Sequence, residues 1–532
     1  MRSTAVPTAA LVVLASSVAG GLFGSRVMAV ENQNKQLTGM YTSALAAIEA
    51  GYVEPVDTAQ LVYSSIDGML RTLDPHSSFF TPKEFAQLRE RQEGHYYGIG
   101  ITIGAIDGDV TVTSMFEGSP ASRAGFRRGD VIARVGKEDA KGWPTDEVVK
   151  RVKGPKGTTV DLSLRRQGVP GLIDLTVERD EIHITTVQAA FMLAPGTGYV
   201  RLREFSETSD DEIGSALKQL TAQGMQRLLL DLRDNPGGPL DQAIAISNRF
   251  LKSGQPIVST HGRVPSSSTI YRAEGDGGYT SVPLVVLVSR QSASASEIVT
   301  GAMQDHDRGI VVGETTFGKA LVQSVYPIDE GAALALTTAH YATPSGRIIQ
   351  RPWDNSFDEY LTYTQRDQSG TRPHPAAELK YTDAGRKVYG GGGIEPDHFV
   401  AGPVEGYAPS PFSRLLVSRG AFVSFASKFA REGDTRTGAK SAAKFKVGSG
   451  WTVTPAMIEE FRQFITAGRL KFDEDAFKAD QTFIAAMIHY EVDTDLFGSS
   501  EARRNLVKND PQTQASQQYF DEARKLLDLK KK

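Results

Sequence analysis

Between Gly198 and Val312, strand-length apolar runs alternate with amphipathic stretches. Tyr199–Arg203, Arg227–Leu232 and Leu284–Val288 read as strands, and Asp210–Leu220, Leu240–Leu251 and Ala295–Gln304 as the helices that follow them. This β-α-β alternation constrains the fold more than any other feature, because an apolar strand and an apolar helix stripe bury each other when helices layer on a sheet. A layered α/β core is therefore expected.

The flanks have other periods. From Lys35 to Arg91 apolar residues recur at helical spacing (Leu45, Ile48, Leu61, Ile66, Met69, Leu70), with a break at Leu73-Asp74-Pro75-His76. From Tyr97 to Arg166 short alternating runs, such as Val131–Val135 and Thr159–Leu164, surround one helical stretch at Thr145–Val152, which reads as a compact β-rich module. Pro352–Gly393 is polar, ends in the glycine run Gly390–Gly393, and reads as a surface insertion. After Pro403 the chain is mostly helical and closes on Lys530-Lys531-Lys532. The expected organisation is 1–29 signal peptide or membrane anchor, 30–90 N-terminal helical segment, 91–170 β-rich domain, 171–402 core, and 403–532 helical C-terminal region. The fold class is thus α/β and α+β multidomain.

Composition removes several functions. With 59 basic against 63 acidic residues the net charge is −4, and no basic stripe interleaves with aromatics, which argues against a nucleic-acid partner. The absence of cysteine excludes disulfides, thiolate metal sites and a cysteine nucleophile. Arg2 precedes a charge-free run from Ala5 to Phe23, and Val27-Met28-Ala29 has the small-x-small form of a cleavage site. Export to the periplasm or cell envelope is expected, by a cleaved signal or by an anchor to the inner membrane.

Three motifs carry chemistry. The strand Leu284–Val288 runs into Ser289–Glu297, placing Ser294 at a strand-to-helix turn beside a helix N-terminus. A serine there is ordinarily an N-cap, and Ser294-x-x-Glu297 has the form of a capping box. In Gly313–Gln323, Lys319 follows a glycine at the mouth of an apolar strand, where loss of water would lower its pKa from ~10.4 toward neutrality and fit it as a general base. The ordinary alternative is a solvated surface cation. Leu230–Gly238 is a buried strand emptying into a Gly-Gly turn, which serves either as a simple connection or as an oxyanion donor alongside the Ala295 N–H. Among histidines, His306 lies ~18 Å along the helix from Ser294, and His340 and His76 have no recognisable setting.

Together these motifs, with 25 residues from Ser294 to Lys319, resemble the C-terminal processing (tail-specific) protease family of serine peptidases. The resemblance implies a layered core of the crotonase/ClpP type, with Ser294 as nucleophile, Lys319 as general base and Gln323 orienting the lysine. It also implies Ala295 with Gly237 or Gly238 in the oxyanion hole, and no metal or cofactor. In a regular strand Lys319 and Gln323 would sit ~13 Å apart, so a direct hydrogen bond requires curvature or a bulge after Gly318. Tyr97–Ile101 and Ser119–Ile132 resemble a PDZ domain, whose Gly98, Ile99, Gly100 and Ile101 N–H groups would bind a terminal carboxylate while the peptide adds as a strand. Further likenesses at Tyr52–Glu84 and Ala339–Arg347 extend the resemblance over about Gly51 to Asp397. Lys153 stands where the family is expected to carry arginine, in a basic loop that couples docking to the active site. The residues after Pro403 match no recognised pattern. The implied partners are protein or peptide substrates with a free C-terminus, with membrane association through the N-terminus and a homo-oligomer or adaptor both compatible. The alternatives are a catalytically idle PDZ scaffold that recruits envelope partners, and a small-molecule esterase or binding protein on the same layered fold.

Overall fold

The structure, a computed structural model, describes residues 35–529 apart from 107, 167, 276, 329–330, 354–359, 361, 366–373, 403–408, 434–446, 449 and 469–470. The Ala5–Phe23 run, the Val27–Ala29 site and Lys530–Lys532 lie outside the described residues. No helix among the described residues is long and apolar enough to cross a membrane.

The chain divides into two compact units. One comprises the residues up to Phe85 with Ser324–Leu336. It holds a helix over 35–51 and a second at Thr58–Leu70, which Asp57 caps by accepting the Gln60 N–H at 3.2 Å. The break foreseen at Asp74 is a side-chain-built turn: Asp74 accepts the N–H groups of His76 and Ser77, both at 2.8 Å, and the Ser77 hydroxyl at 2.6 Å. After it comes a strand the helical periodicity did not anticipate, Ser78–Phe80, paired antiparallel with Ala333–Ala335.

The second unit comprises Ala86–Gln323 and Thr337–Lys532. At its centre is a six-stranded sheet in the order Val187–Ala194, Thr197–Leu202, Arg227–Asp231, Leu284–Val288, Ile310–Gly313, His398–Phe399. Every pairing is parallel except the first, which is antiparallel. Leu284–Val288 is wholly buried because both faces are covered, which is why it reads as an unbroken apolar run. Helices Ser209–Ala222, Leu240–Asn248 and Ala295–Asp305 layer on the sheet, and every residue of the last is buried. The foreseen alternation is thus realised, with helix ends shifted by a few residues. The edge strand Val187–Ala194 and the antiparallel pair Pro256–Gly262/Thr269–Arg272 were not anticipated.

The β-rich module is a sheet in the order Ile101–Ile106, Asp109–Met115, Val131–Val135, Thr159–Arg165, Leu172–Glu178, with helix Thr145–Val152 on the residues expected of it. Ile101–Ile106 lies at one edge of that order. The C-terminal region packs helices around an aromatic core, with Phe422 stacked on Phe461 at 4.8 Å between centroids.

Of the Pro352–Gly393 segment read as a surface insertion, 354–359, 361 and 366–373 lie outside the described residues; residues 375–377 and 383–385 are exposed, but other residues anchor the segment in the fold. Tyr360 is buried and packs edge-on against Phe317 at 5.1 Å, and Arg386 bridges Asp307 and Asp397. A Cβ on Gly393, which has φ +93°, would lie 2.3 Å from the Thr316 carbonyl oxygen. Polarity misled because these charges are paired inside the fold, and the glycines serve close approach rather than looseness.

Candidate active site

Ligand sites in open parallel sheets form beyond the carboxyl ends of the strands. The register Leu230↔Val286 and Asp231↔Leu287 makes two such ends neighbours, so the turns after Asp231 and Val288 emerge side by side. They are tied together. The Ser292 hydroxyl donates to the Leu232 carbonyl at 2.7 Å, the Asp234 N–H to the Ser289 hydroxyl at 2.9 Å, and the Ala293 N–H to the Asn235 carbonyl at 2.9 Å.

Ser294 has φ 55° and ψ −115°, one of three non-glycine residues with positive φ among those described. An ordinary N-cap is extended. Backbone held in such a region costs roughly 1–3 kcal/mol and persists only where surroundings impose it. Here the Glu297 carboxylate imposes it. Glu297 Oε2 accepts the N–H groups of Ser294 (2.8 Å) and Lys319 (2.9 Å), and Oε1 accepts the Thr316 hydroxyl (2.5 Å) and the Gly318 N–H (2.7 Å). What reads locally as a capping box is therefore a clasp between the serine turn and the lysine segment. Glu297 is fully buried, and burial pushes its carboxyl up to about 7 against the pull of its four donors. Tyr341 closes the same gap from behind, its buried hydroxyl lying 2.7 Å from the Lys319 carbonyl and 3.1 Å from that of Ser294.

Lys319 and Gln323 meet: Nζ donates to Gln323 Oε1 at 2.9 Å. The difficulty of strand spacing disappears because Lys319 precedes the strand Leu321–Pro327 and follows Gly318 at φ +91°. The glycine supplies the curvature, and residues beyond the expected motif hold it. The Gly318 carbonyl accepts the Arg351 N–H at 2.9 Å, and the Arg351 side chain donates to the Phe317 carbonyl at 2.8 Å.

The Gly-Gly turn lies against the serine turn. A Cβ on Gly237, at φ +96°, would sit 2.7 Å from the Ala293 carbonyl oxygen and 2.8 Å from the Ala295 nitrogen. Gly237 donates its N–H to Asn235 Oδ1 at 2.9 Å, whereas the N–H groups of Gly238 and Ala295 meet no acceptor among the described residues. Asn235, which sequence reasoning passed over, is buried and also donates from Nδ2 to the Leu202 carbonyl at 2.9 Å. Upstream, Asp231 accepts from Tyr199 OH at 2.6 Å and from the Arg233 guanidinium at 2.7 Å. Burial opposes its charge, yet Arg233 and then Arg201 hold the carboxyl far below the usual range.

The histidines are elsewhere. His306 is fixed between Asp383 (2.9 Å) and the Pro256 carbonyl (2.7 Å), and His340 is exposed on a strand beside His261. No group of three metal-binding side chains occurs among the described residues.

In the β-rich module, Tyr96, Gly98, Ile99, Gly100, Ile101, Ile103, Val149, Val152 and Lys153 line a mostly apolar groove. The carbonyls of Ile99 and Gly100 turn inward, accepting the N–H groups of Ala121 (2.9 Å) and Phe116 (3.0 Å), and their own N–H groups meet no acceptor among the described residues. Lys153 pairs with Glu90 and lies 4.6 Å over the Tyr96 ring, at the junction of groove and helix Pro82–Glu93.

Residues 196–353 match the model of peptidase family S41, and residues 87–165 match the PDZ domain. The chain is 36% identical over 324 residues to the carboxy-terminal-processing protease of Bartonella bacilliformis, covering 60% of this chain and 74% of that one. It is also 36% identical to the carboxy-terminal processing protease CtpA of Bacillus subtilis, covering 58% and 66%. Among solved structures it is similar to a photosystem II D1 C-terminal processing protease, with 34% identity, 57% and 82% coverage and a TM-score of 0.32. With a PDZ domain preceding an S41 core, and that extent of identity to a curated relative, the chain belongs to the carboxy-terminal-processing protease family of serine-type peptidases.

Proposed function

We propose that this protein cleaves unfolded protein or peptide chains near a free C-terminus, by attack of Ser294 and through an acyl-enzyme. The observation that carries the reading is the Glu297 clasp, in which one carboxylate oxygen accepts from both Ser294 and Lys319. It fixes serine and lysine as a unit. Lys319, with Nζ held by Gln323, takes the Ser294 proton and returns it to the leaving amine. The developing oxyanion is met by the N–H groups of Ala295 and Gly238. Gly238 is favoured over Gly237 because the Gly237 N–H is already given to Asn235. Attack needs a neutral lysine, so turnover rises with pH until Lys319 is deprotonated.

The PDZ groove selects the substrate. The inward carbonyls of Ile99 and Gly100 leave their N–H groups for a terminal carboxylate, and Ile101–Ile106 offers an edge for strand addition. Ile101, Ile103, Val149 and Val152 favour an apolar last residue. The Ala5–Phe23 run supports a substrate pool in the cell envelope.

The test is turnover of one unfolded peptide in free-acid and C-terminal amide forms, by wild type, Ser294→Ala and Lys319→Ala. Expected are loss of cleavage in both variants and preference for the free acid by about tenfold or more, since a hydrogen bond to a charged group is worth ~1.5–3 kcal/mol. Equal turnover by Ser294→Ala would end the peptidase mechanism. Equal cleavage of acid and amide would end only the tail-reading claim.

A further inference from the structure

The helical C-terminal region has no role in the chemistry described so far, yet one of its segments reaches the turn that carries Gly237 and Gly238. Arg233, almost wholly buried, spends its Nε and one face of Nη2 on Asp231. That leaves Nη1 and one N–H of Nη2 without a partner from the core among the described residues, and a guanidinium has five donors to satisfy. The C-terminal region supplies the acceptors: Nη1 donates to Asp510 Oδ2 at 2.6 Å and to Gln512 Oε1 at 2.9 Å, and Nη2 to Thr513 Oγ1 at 3.2 Å. These contacts span 277 to 280 positions of sequence.

The footing of that segment is itself firm. Asp510 caps helix Pro511–Ser516 by accepting the Thr513 N–H at 3.1 Å, and Gln512 Nε2 donates to the Val400 carbonyl at 2.9 Å. Asn505, one helix earlier, donates to Asp493 at 2.8 Å. Helix Gln481–Leu496, which holds Asp493, also pairs Glu491 and Asp495 with Arg128 of the PDZ domain. The region is thus held at two places, and Arg233 is held from both sides.

What Arg233 steadies is the start of the turn. Its own N–H donates to Asp231 Oδ1 at 3.0 Å, and the preceding Leu232 carbonyl accepts the Asn235 N–H at 3.3 Å. Asn235 then holds the Gly237 N–H. A shift at Arg233 therefore moves the residues that set the direction of the Gly238 N–H.

Resting on the catalytic reading above, we propose that Asp510, Gln512 and Thr513 are positioning residues for cleavage, holding the Gly237-Gly238 turn in its donor geometry through Arg233. They touch no substrate. Their effect falls on the chemical step and not on docking, because the PDZ groove is built from other residues.

The experiment uses the full chain with Asp510→Ser, which keeps a capping oxygen for Thr513 but withdraws the anion from Arg233, and the milder Asp510→Asn, which keeps a neutral acceptor. Two quantities are read: kcat and KM on an unfolded peptide, and amide hydrogen exchange across residues 232–238. For Asp510→Ser we expect kcat to fall about tenfold with KM within about twofold, and faster exchange at Asn235 and Gly237. Asp510→Asn recovers part of both. Unchanged exchange in 232–238 overturns the proposal, as does an unchanged kcat. So does a loss in kcat that follows the fall in thermal midpoint equally in both variants. If wild-type turnover proves independent of Ser294, the catalytic reading fails, and the exchange measurement still decides whether Asp510 holds the turn.

Discussion

The Gly237-Gly238 turn and the Gly98–Ile101 loop solve related problems by opposite means. Each has a glycine at positive φ, Gly237 at +96° and Gly100 at +78°, beside backbone N–H groups that meet no acceptor among the described residues. Around Gly237 the nearest neighbours are the Ala293 carbonyl, the Ala295 nitrogen and the Ser294 Cβ, and the turn is held by Asn235, Asp231 and Arg233. Around Gly100 the nearest neighbour is a side chain, Ser119, whose Cβ lies 2.3 Å from where a Cβ on Gly100 would be. The first turn is tied down by several hydrogen bonds, as the proposed oxyanion role requires. The second is anchored on one side and lies beside an edge strand, as the proposed capture of a chain end requires.

The sharpest way to break the contrast is Gly237→Ala. A methyl group there meets main chain on two sides, which cannot step aside, at a φ that alanine resists. We expect kcat to fall about a hundredfold or more, with affinity for a free-acid peptide, measured by calorimetry, at the wild-type value. A parallel loss of affinity would mean that the two sites are not independent.

Glu297→Gln comes next. The amide nitrogen must replace one carboxylate oxygen, so two buried donors face a donor, at ~1–3 kcal/mol for each group left unsatisfied. We expect kcat to fall roughly thirtyfold, within the range such a loss allows. Stability carries a separate signature. Because the Glu297 carboxyl is raised to about 7 from 4.5, the native state holds the proton more tightly than the unfolded chain. Its contribution is fully present below about 4.5 and is lost as pH rises through about 7. Urea midpoints at pH 5 and pH 8 should therefore differ more for wild type than for Glu297→Gln, and equal differences would assign the pH dependence to another group.

Gly100→Ala sharpens the comparison from the other side and has the smallest expected effect. Ser119 can rotate but its Cβ cannot, so the loop is displaced without collapse. Affinity for a free-acid peptide should weaken about tenfold, while labelling of Ser294 by a small serine-directed probe keeps its rate. Slowed labelling would show that the loop also shapes the peptidase turn.

What the sequence disclosed was whatever lies close along the chain. Strand, turn and helix follow one another around Ser294 and around Gly237, and their periods and glycines can be read in order. The lysine and its glutamine are four residues apart, and only the bend at Gly318 separated the regular-strand estimate from the contact. Glu297 was visible, but as a capping box. Its other donors, at Thr316, Gly318 and Lys319, arrive by tertiary packing that has no local period. Tyr341 lay within the Ala339–Arg347 stretch without a sign of where its hydroxyl points. Asn235 and Arg233 were legible as parts of a turn, not as what holds it. The anchors of the Pro352–Gly393 segment were hidden for a related reason: composition reports that Arg386 is charged, and only the fold reports that Asp307 and Asp397 stand beside it.

The long span between Arg233 and Asp510 has a consequence for synthesis. Ser294 and Lys319 leave the ribosome well before Asp510 does. At ~5–20 residues per second the interval is roughly 10–40 seconds, and during it the nascent chain has its serine and lysine but lacks the acceptors that hold Arg233. Thr316 likewise waits for Ile394, whose N–H its hydroxyl accepts at 2.7 Å. The serine and the lysine are thus made before the partners that hold Arg233 and Thr316 in the folded chain.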